Sequence, residues 1–131
     1  MDQDRFALQL GQFRKAMAAL AEALATDDGD KKSRDSILLS FVFTFEMAWK
    51  SVNRALALRG INVPVFAAPT LKAGVQAGLL DDVEAWDQIR DHRNNVSHAY
   101  DEAKAIEIAA FVREQAMSHF GQLLARLQTD E

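Results

Sequence analysis

The chain of 131 residues contains no cysteine, only two prolines and only six glycines. Without cysteine it can form no disulfide, no thiolate nucleophile and no thiolate metal site, and we expect a cytoplasmic protein. Both prolines lie between Asn62 and Thr70, so the longer segments on either side contain no helix breaker of this kind. The first residues show no basic region followed by an apolar stretch, and we therefore expect no signal peptide.

Long apolar runs and a basic excess are also missing. Charged or polar residues interrupt each apolar stretch well before the ~20 residues that a membrane span needs, so we expect no contact with a membrane. The formal net charge is −4, whereas proteins that coat nucleic acid nonspecifically are usually basic. Contact with RNA therefore requires a small local basic site or the help of a partner.

What the chain does have is strong helical periodicity. Apolar residues make up 49% of it, and they recur at steps of three and four rather than in alternation. Five helices are predicted, at about 4–26, 31–59, 70–77, 82–100 and 102–128, the last two capped by Asp81 and Asp101. Long helices with short connections predict an all-α fold, an antiparallel up-and-down four-helix bundle with one additional short helix. By length, residues 1–131 form a single domain.

The second predicted helix is apolar on more than one side. Phe43, Met47 and Trp49 lie off its main stripe, which repeats every three or four residues from Ile37 to Leu56. Such a helix lies at the centre of a fold or also faces a second subunit.

The fourth predicted helix carries a charge within its apolar stripe. Arg93 occupies the inward-facing position between Ile89 and Val96, in a stripe that also contains Val83, Trp86 and Tyr100. A charge at such a position costs on the order of several kcal/mol unless it is paired or opens onto a polar cleft. One structural interpretation is an ion pair between Arg93 and Glu46 or an aspartate.

The segment Arg93–Tyr100 combines a permanent cation, two amides, an imidazole and a phenol. A cation that binds phosphate, beside a group that moves a proton near neutral pH, is suited to RNA cleavage. On an ideal helix, however, His98 lies about 140° around the axis from Arg93. The two side chains meet on one phosphate only if the helix breaks near Ser97 or if a second copy supplies the missing group. We therefore predict a homodimer, or a larger homo-oligomer, whose fourth helices meet near a twofold axis.

These residues resemble a known family. Arg93, His98 and Tyr100 match the Arg-x4-His-x-Tyr signature of HEPN domains. The segment Phe41–Lys50 resembles the F-x-x-x-F-E-x-x-W-K helix of the HEPN subgroup called nucleotidyltransferase substrate-binding proteins, and several segments between Gly78 and Glu102 resemble the second half of that subgroup. The similarity extends over nearly the whole chain.

The resemblance implies the toxin of a toxin–antitoxin pair, a metal-independent ribonuclease without a cofactor that is restrained by a minimal nucleotidyltransferase. In this hypothesis Arg93 holds the scissile phosphate and His98 acts as general base or general acid. Asn94 orients His98 or the phosphate. Tyr100 contacts the RNA and receives adenylate from the partner.

Other interpretations remain open. In the main alternative the protein is a noncatalytic accessory subunit that presents substrate to the transferase; Arg93 then satisfies a buried carboxylate such as Glu46. A helical interaction module of an unrelated family is a third interpretation. We expect no metal site, because His92 and His98 lie on different faces of the helix and acidic residues near a helix start are expected from the helix dipole.

Overall fold

The computed structural model describes every residue from Met1 to Glu131, and all of its regular elements are helical. The five helices are α1 (Asp2–Ala25), α2 (Lys31–Leu58), α3 (Ala67–Gln76), α4 (Val83–Asn95) and α5, which consists of Glu102–Phe111, a π-helical turn at Val112–Ala116 and Met117–Gln128. A 3₁₀ turn, Val96–His98, follows α4. The all-α class predicted from the periodicity is thus confirmed. None of the helices combines the length and the apolar character that crossing a bilayer requires.

The ends of α2 follow from side chains that satisfy the terminal backbone groups. Asp30 Oδ1 accepts a hydrogen bond from the Ser33 backbone N–H at 2.8 Å, which is the usual role of an N-cap. Hydrogen bonds from the side chain and the backbone of Ser33 lower the pKa of the Asp30 carboxyl. At the other end Gly60 has a φ of 77°, which glycine adopts without steric cost. The helix therefore ends where the sequence predicts.

The N-caps of α4 and α5 decide where the motif segment lies. Asp101 caps α5 as predicted, since its Oδ1 accepts from the Ala103 N–H at 3.0 Å. The predicted cap of α4, Asp81, is wrong by one residue, because Asp82 Oδ1 accepts from the Ala85 N–H at 3.1 Å. Two consecutive aspartates carry the same preference, so sequence alone does not choose between them.

Four helices meet around the ring of Phe120 in α5. Its centroid lies 6.4 Å from that of Phe13 in α1, 6.2 Å from that of Phe41 in α2 and 5.8 Å from that of Trp86 in α4. All four rings are buried. Aromatic pairs at such distances and tilts are favourable beyond the burial of their area. This cluster fixes α4, and with it the motif segment, against the rest of the core.

Helix α2 is the central element, as its apolar pattern predicts. Met47 and Trp49 are buried together with the main stripe, whereas Phe43 remains 53% exposed. Helix α3 packs closely against α2 at Gly74, where an added Cβ would lie 2.9 Å from Val52 Cγ1. Glycine at this position therefore allows the two backbones to approach.

The π-helical turn in α5 has a packing consequence. Ile108, Val112, Ala116 and Phe120 follow one another at steps of four and are all buried. On an ideal α-helix every fourth side chain drifts by about 40° around the axis. A wider turn reduces this drift and keeps the four residues on the core side.

Candidate functional site at the end of α4

The helix that carries the Arg93–Tyr100 segment stops within it. Helix α4 ends at Asn95, and the Ser97 hydroxyl donates to the Asn94 carbonyl oxygen at 3.1 Å. Carbonyls at a helix end have no intrahelical donor, so this bond satisfies one of them. The chain then passes through the 3₁₀ turn and enters α5 at Glu102. A break near Ser97, one of the two conditions for bringing the motif together, is present.

Arg93 is partly buried, and its guanidinium forms no ion pair and no hydrogen bond within the chain. The expected pair with Glu46 is absent. That carboxylate accepts from Trp49 Nε1 at 3.0 Å and pairs with Lys50 Nζ at 3.2 Å. A partly buried guanidinium without a partner is unfavourable, and its planar donors remain available for phosphate.

The other motif side chains point into solvent. His98 and Asn94 are exposed, and Tyr100 is 88% exposed. The prediction that Tyr100 continues the inward-facing stripe is therefore wrong, because the helix ends five residues before it. Val83, at the other end of that stripe, is 55% exposed and was also wrongly expected to face inward. The inward stripe is reduced to Trp86 and Ile89, which are buried.

Within one chain the motif converges only in part. The rings of His98 and Tyr100 lie edge-to-face with their centroids 6.3 Å apart. Arg93 makes no hydrogen bond with Asn94, His98 or Tyr100. The turn thus presents imidazole and phenol together, while the guanidinium lies on the preceding helix.

An open groove of about 350 Å³ borders this turn. It lies between the motif and α2. Lys31 and Asp35 line it together with six apolar or aromatic residues, namely Leu38, Leu39, Val42, Val96, Ala99 and Tyr100. Leu39 is 74% exposed, and Phe43 follows it one helical turn later. Exposed apolar side chains that cluster in this way are typical of an interaction surface. In the sequence this surface corresponds to Leu39 and Phe43, two apolar residues four positions apart and off the core stripe of α2. The sequence analysis identified Phe43 and missed Leu39.

The neighbouring His92 has a packing role. Its ring stacks on Phe111 with centroids 3.8 Å apart and planes 1° from parallel, and its Nδ1 lies 2.9 Å from the Gln88 carbonyl oxygen. This ring therefore fastens the end of α4 to α5. No group of three or more His, Asp or Glu side chains is placed to hold a metal ion.

Comparison with known proteins identifies the family. The sequence model of the family described as "Nucleotidyltransferase substrate binding protein like" matches residues 8–129. The chain belongs to this family. A curated relative from Haemophilus influenzae, "Probable ribonuclease HepT", is 34% identical over 74 residues, which cover 53% of this chain and 51% of the relative. The matched part thus spans about half the length of that relative. Membership of the HEPN group, predicted from the motif, is confirmed.

Proposed function

We propose that this HEPN protein is a metal-independent endoribonuclease that acts in the cytoplasm as the toxin of a two-component module. A minimal nucleotidyltransferase is the proposed partner that neutralises it. Family membership supports the partner, and the name of the Haemophilus relative supports the activity. The single observation that carries the proposal is the partly buried Arg93 guanidinium, which lacks any partner and lies beside an exposed imidazole-bearing turn.

The proposed reaction uses the substrate's own nucleophile. The ribose 2′-oxygen attacks the adjacent phosphorus, the bond from phosphorus to the 5′-oxygen breaks, and a 2′,3′-cyclic phosphate and a 5′-hydroxyl result. His98 takes the proton of the 2′-hydroxyl or delivers one to the leaving 5′-oxygen. Arg93 stabilises the negative charge that grows on the nonbridging oxygens. Asn94 orients the imidazole or the phosphate. Because DNA lacks the 2′-hydroxyl, it is not cleaved.

A second copy of the chain completes the site in this proposal. Arg93 and His98 form no hydrogen bond with each other within one chain. The groove beside the motif exposes Leu39, and Phe43 is exposed one helical turn further along α2. A twofold contact through this apolar surface removes both side chains from water and brings two motif turns together. We propose the antiparallel up-and-down four-helix bundle, as one domain with α3 as the additional helix, for each protomer.

The test compares cleavage of RNA by purified wild-type protein and by Arg93→Ala and His98→Ala variants. Removal of a general acid or base is expected to lower the rate by about 10²–10⁴-fold. Arg90→Ala is the matched control, because Arg90 lies on the same helix and also forms no ion pair. Both motif variants should melt at the wild-type temperature or above it, since His98 is exposed and Arg93 has no internal partner to lose. Full cleavage by His98→Ala would contradict the proposed mechanism.

Tyr100 is the proposed site of adenylylation by the partner. Its ring is 88% exposed and its hydroxyl has no hydrogen bond within the chain. The same exposure favours the second candidate function, a noncatalytic accessory subunit that the transferase uses or modifies. Expression of the chain without its partner separates the two: growth arrest with degraded RNA supports the ribonuclease, and harmless expression with intact RNA supports the accessory role.

A further inference from the structure

A second surface with phosphate-binding chemistry lies further along α2. A small cavity of about 190 Å³ is lined by Gln9, Lys50, Asn53, Arg54 and Val65. Lys50 and Arg54 are cations, whereas the amide groups of Gln9 and Asn53 donate to Gln12 and Thr70 of the same chain. In a chain of net charge −4 the two cations are a local concentration of positive charge.

The family-specific helix segment accounts for the position of Lys50. Glu46 accepts from the Nε1 of the buried Trp49 at 3.0 Å and pairs with Lys50 Nζ at 3.2 Å. The ammonium also lies 5.9 Å from the centroid of the Trp49 ring. The buried Trp49 ring and the Glu46 carboxylate thus position the ammonium at the surface. Because Lys50 and Glu46 are both partly exposed, their ion pair contributes little and a phosphate can compete for Lys50.

Arg54 lies one turn beyond Lys50 and is exposed without an ion pair. Between them, Asn53 Nδ2 lies 3.3 Å from the Val63 carbonyl oxygen and 3.4 Å from that of Pro64, which fastens the loop before α3 to α2. The same loop leaves the Phe66 ring 68% exposed. Cations and exposed aromatic rings are the elements from which sites for single-stranded nucleic acid are built, and the loop that carries Phe66 contributes Val65 to the same cavity as the two cations.

This surface lies on the same side of α2 as the motif groove. Leu39 lines that groove, and Lys50 lies about 16 Å further along the axis of α2 but only about 20° around it. A dimer that covers Leu39 and Phe43 leaves Lys50 and Arg54 at the rim of the interface. A strand of RNA bound at the motif can therefore reach them.

We propose that Lys50 and Arg54 bind phosphates of single-stranded RNA outside the scissile bond, with Phe66 offering a face for base stacking. This inference rests on the proposed ribonuclease function, and it identifies a second surface that binds the RNA substrate. It also gives a role to the Glu46–Trp49–Lys50 group, which positions one of the two cations.

The experiment measures binding of an RNA of about twelve nucleotides to the His98→Ala protein as a function of salt. The added double substitution Lys50→Gln and Arg54→Gln is expected to weaken binding at least tenfold. The plot of log affinity against log salt should become less steep by about 1.4, since each phosphate contact on a single strand contributes about 0.7. Lys15→Gln with Lys72→Gln is the control, because these exposed cations lie elsewhere and the charge change is the same.

Two further measurements separate this inference from general loss of charge. With active protein, the Lys50 and Arg54 substitutions should raise KM for the long RNA and leave cleavage of a dinucleotide unchanged, because a dinucleotide cannot span the distance. Glu46→Gln keeps an acceptor for Trp49 but removes the competing charge, so it should tighten binding about twofold or more.

If the Lys50 and Arg54 double variant binds RNA with the same affinity and salt dependence as the Lys15 and Lys72 control, the inference is overturned. The proposed ribonuclease function is not affected by that result. If the Lys50 and Arg54 substitutions abolish binding of the nucleotidyltransferase but leave RNA affinity unchanged, the inference is also overturned and the surface is assigned to a protein partner. Wild-type protein that neither binds nor cuts RNA refutes the proposed function and this inference together.

Discussion

The rings of His98 and Tyr100 lie edge-to-face with their centroids 6.3 Å apart on an exposed turn between two helices. The phenol and the imidazole are therefore neighbours on the same exposed turn. A phosphoryl-linked adenylate on Tyr100 would be bulky and negatively charged, so it would repel an incoming RNA phosphate beside His98. In the proposed mechanism, modification at Tyr100 and cleavage by His98 therefore exclude each other.

Tyr100→Phe should retain RNA cleavage but escape neutralisation. The substitution keeps the aromatic ring and removes the oxygen that accepts adenylate. After incubation with the cognate transferase and ATP, mass spectrometry should find AMP on the wild type only, and cleavage by the variant should persist. Equal inhibition of both proteins would show that the transferase restrains its partner by binding alone.

Mixing two inactive variants tests whether the site is shared between protomers. If Arg93 of one protomer acts with His98 of the other, a mixed dimer of Arg93→Ala and His98→Ala chains contains one intact site. Random reassociation then restores about a quarter of the wild-type activity. A site built within one protomer restores none, because each chain lacks one of the two groups. Cleavage before and after co-refolding of the two proteins decides the matter.

The exposed apolar pair on α2 should control assembly. Leu39→Asp with Phe43→Asp introduces charges where a dimer would bury apolar surface, so sedimentation velocity should show monomers and cleavage should be lost. Leu8→Asp on α1 is the control, since Leu8 is also exposed but does not line the motif groove. A dimer that survives the double substitution would place the interface elsewhere.

Two glycine-to-alanine substitutions should shift the free energy of unfolding in opposite directions. At Gly74 the new methyl group meets Val52 Cγ1 at 2.9 Å and Leu80 Cδ1 at 3.2 Å, so stability should fall by about 1–2 kcal/mol. At Gly11, in the interior of α1, nothing lies within 4 Å, and alanine should raise stability by about 0.5–1 kcal/mol. Urea denaturation measures both. Stabilisation at Gly74 would mean that α3 moves freely against α2.

Periodicity was enough to predict the helices, because each apolar stripe has one side of a helix to fill. The stripes of α2 and α5 are buried as expected, and the predicted cap at Asp101 depends on local chemistry that the sequence displays directly. Among the predicted caps, the choice between Asp81 and Asp82 was wrong, because two consecutive aspartates offer the same bond.

The motif was found from sequence, but its geometry was not. Extending the stripe of α4 to Tyr100 assumed a regular helix, whereas the chain leaves α-helical geometry after Asn95. The Glu46 carboxylate has nearer donors in Trp49 and Lys50 on its own helix, one turn or less away. An ion pair between two helices depends on how each helix is rotated about its own axis, and periodicity alone does not define this rotation.

The exposed turn between α4 and α5, which carries His98 and Tyr100, has an evolutionary consequence. His98 and Tyr100 support no part of the apolar interior, which is fixed instead by the rings around Phe120. Mutation could therefore abolish the proposed chemistry at this turn while the helices around Phe120 keep their arrangement. If the proposal holds, descendants that cut RNA and descendants that only bind a partner share one architecture, and the residues of the turn tell them apart.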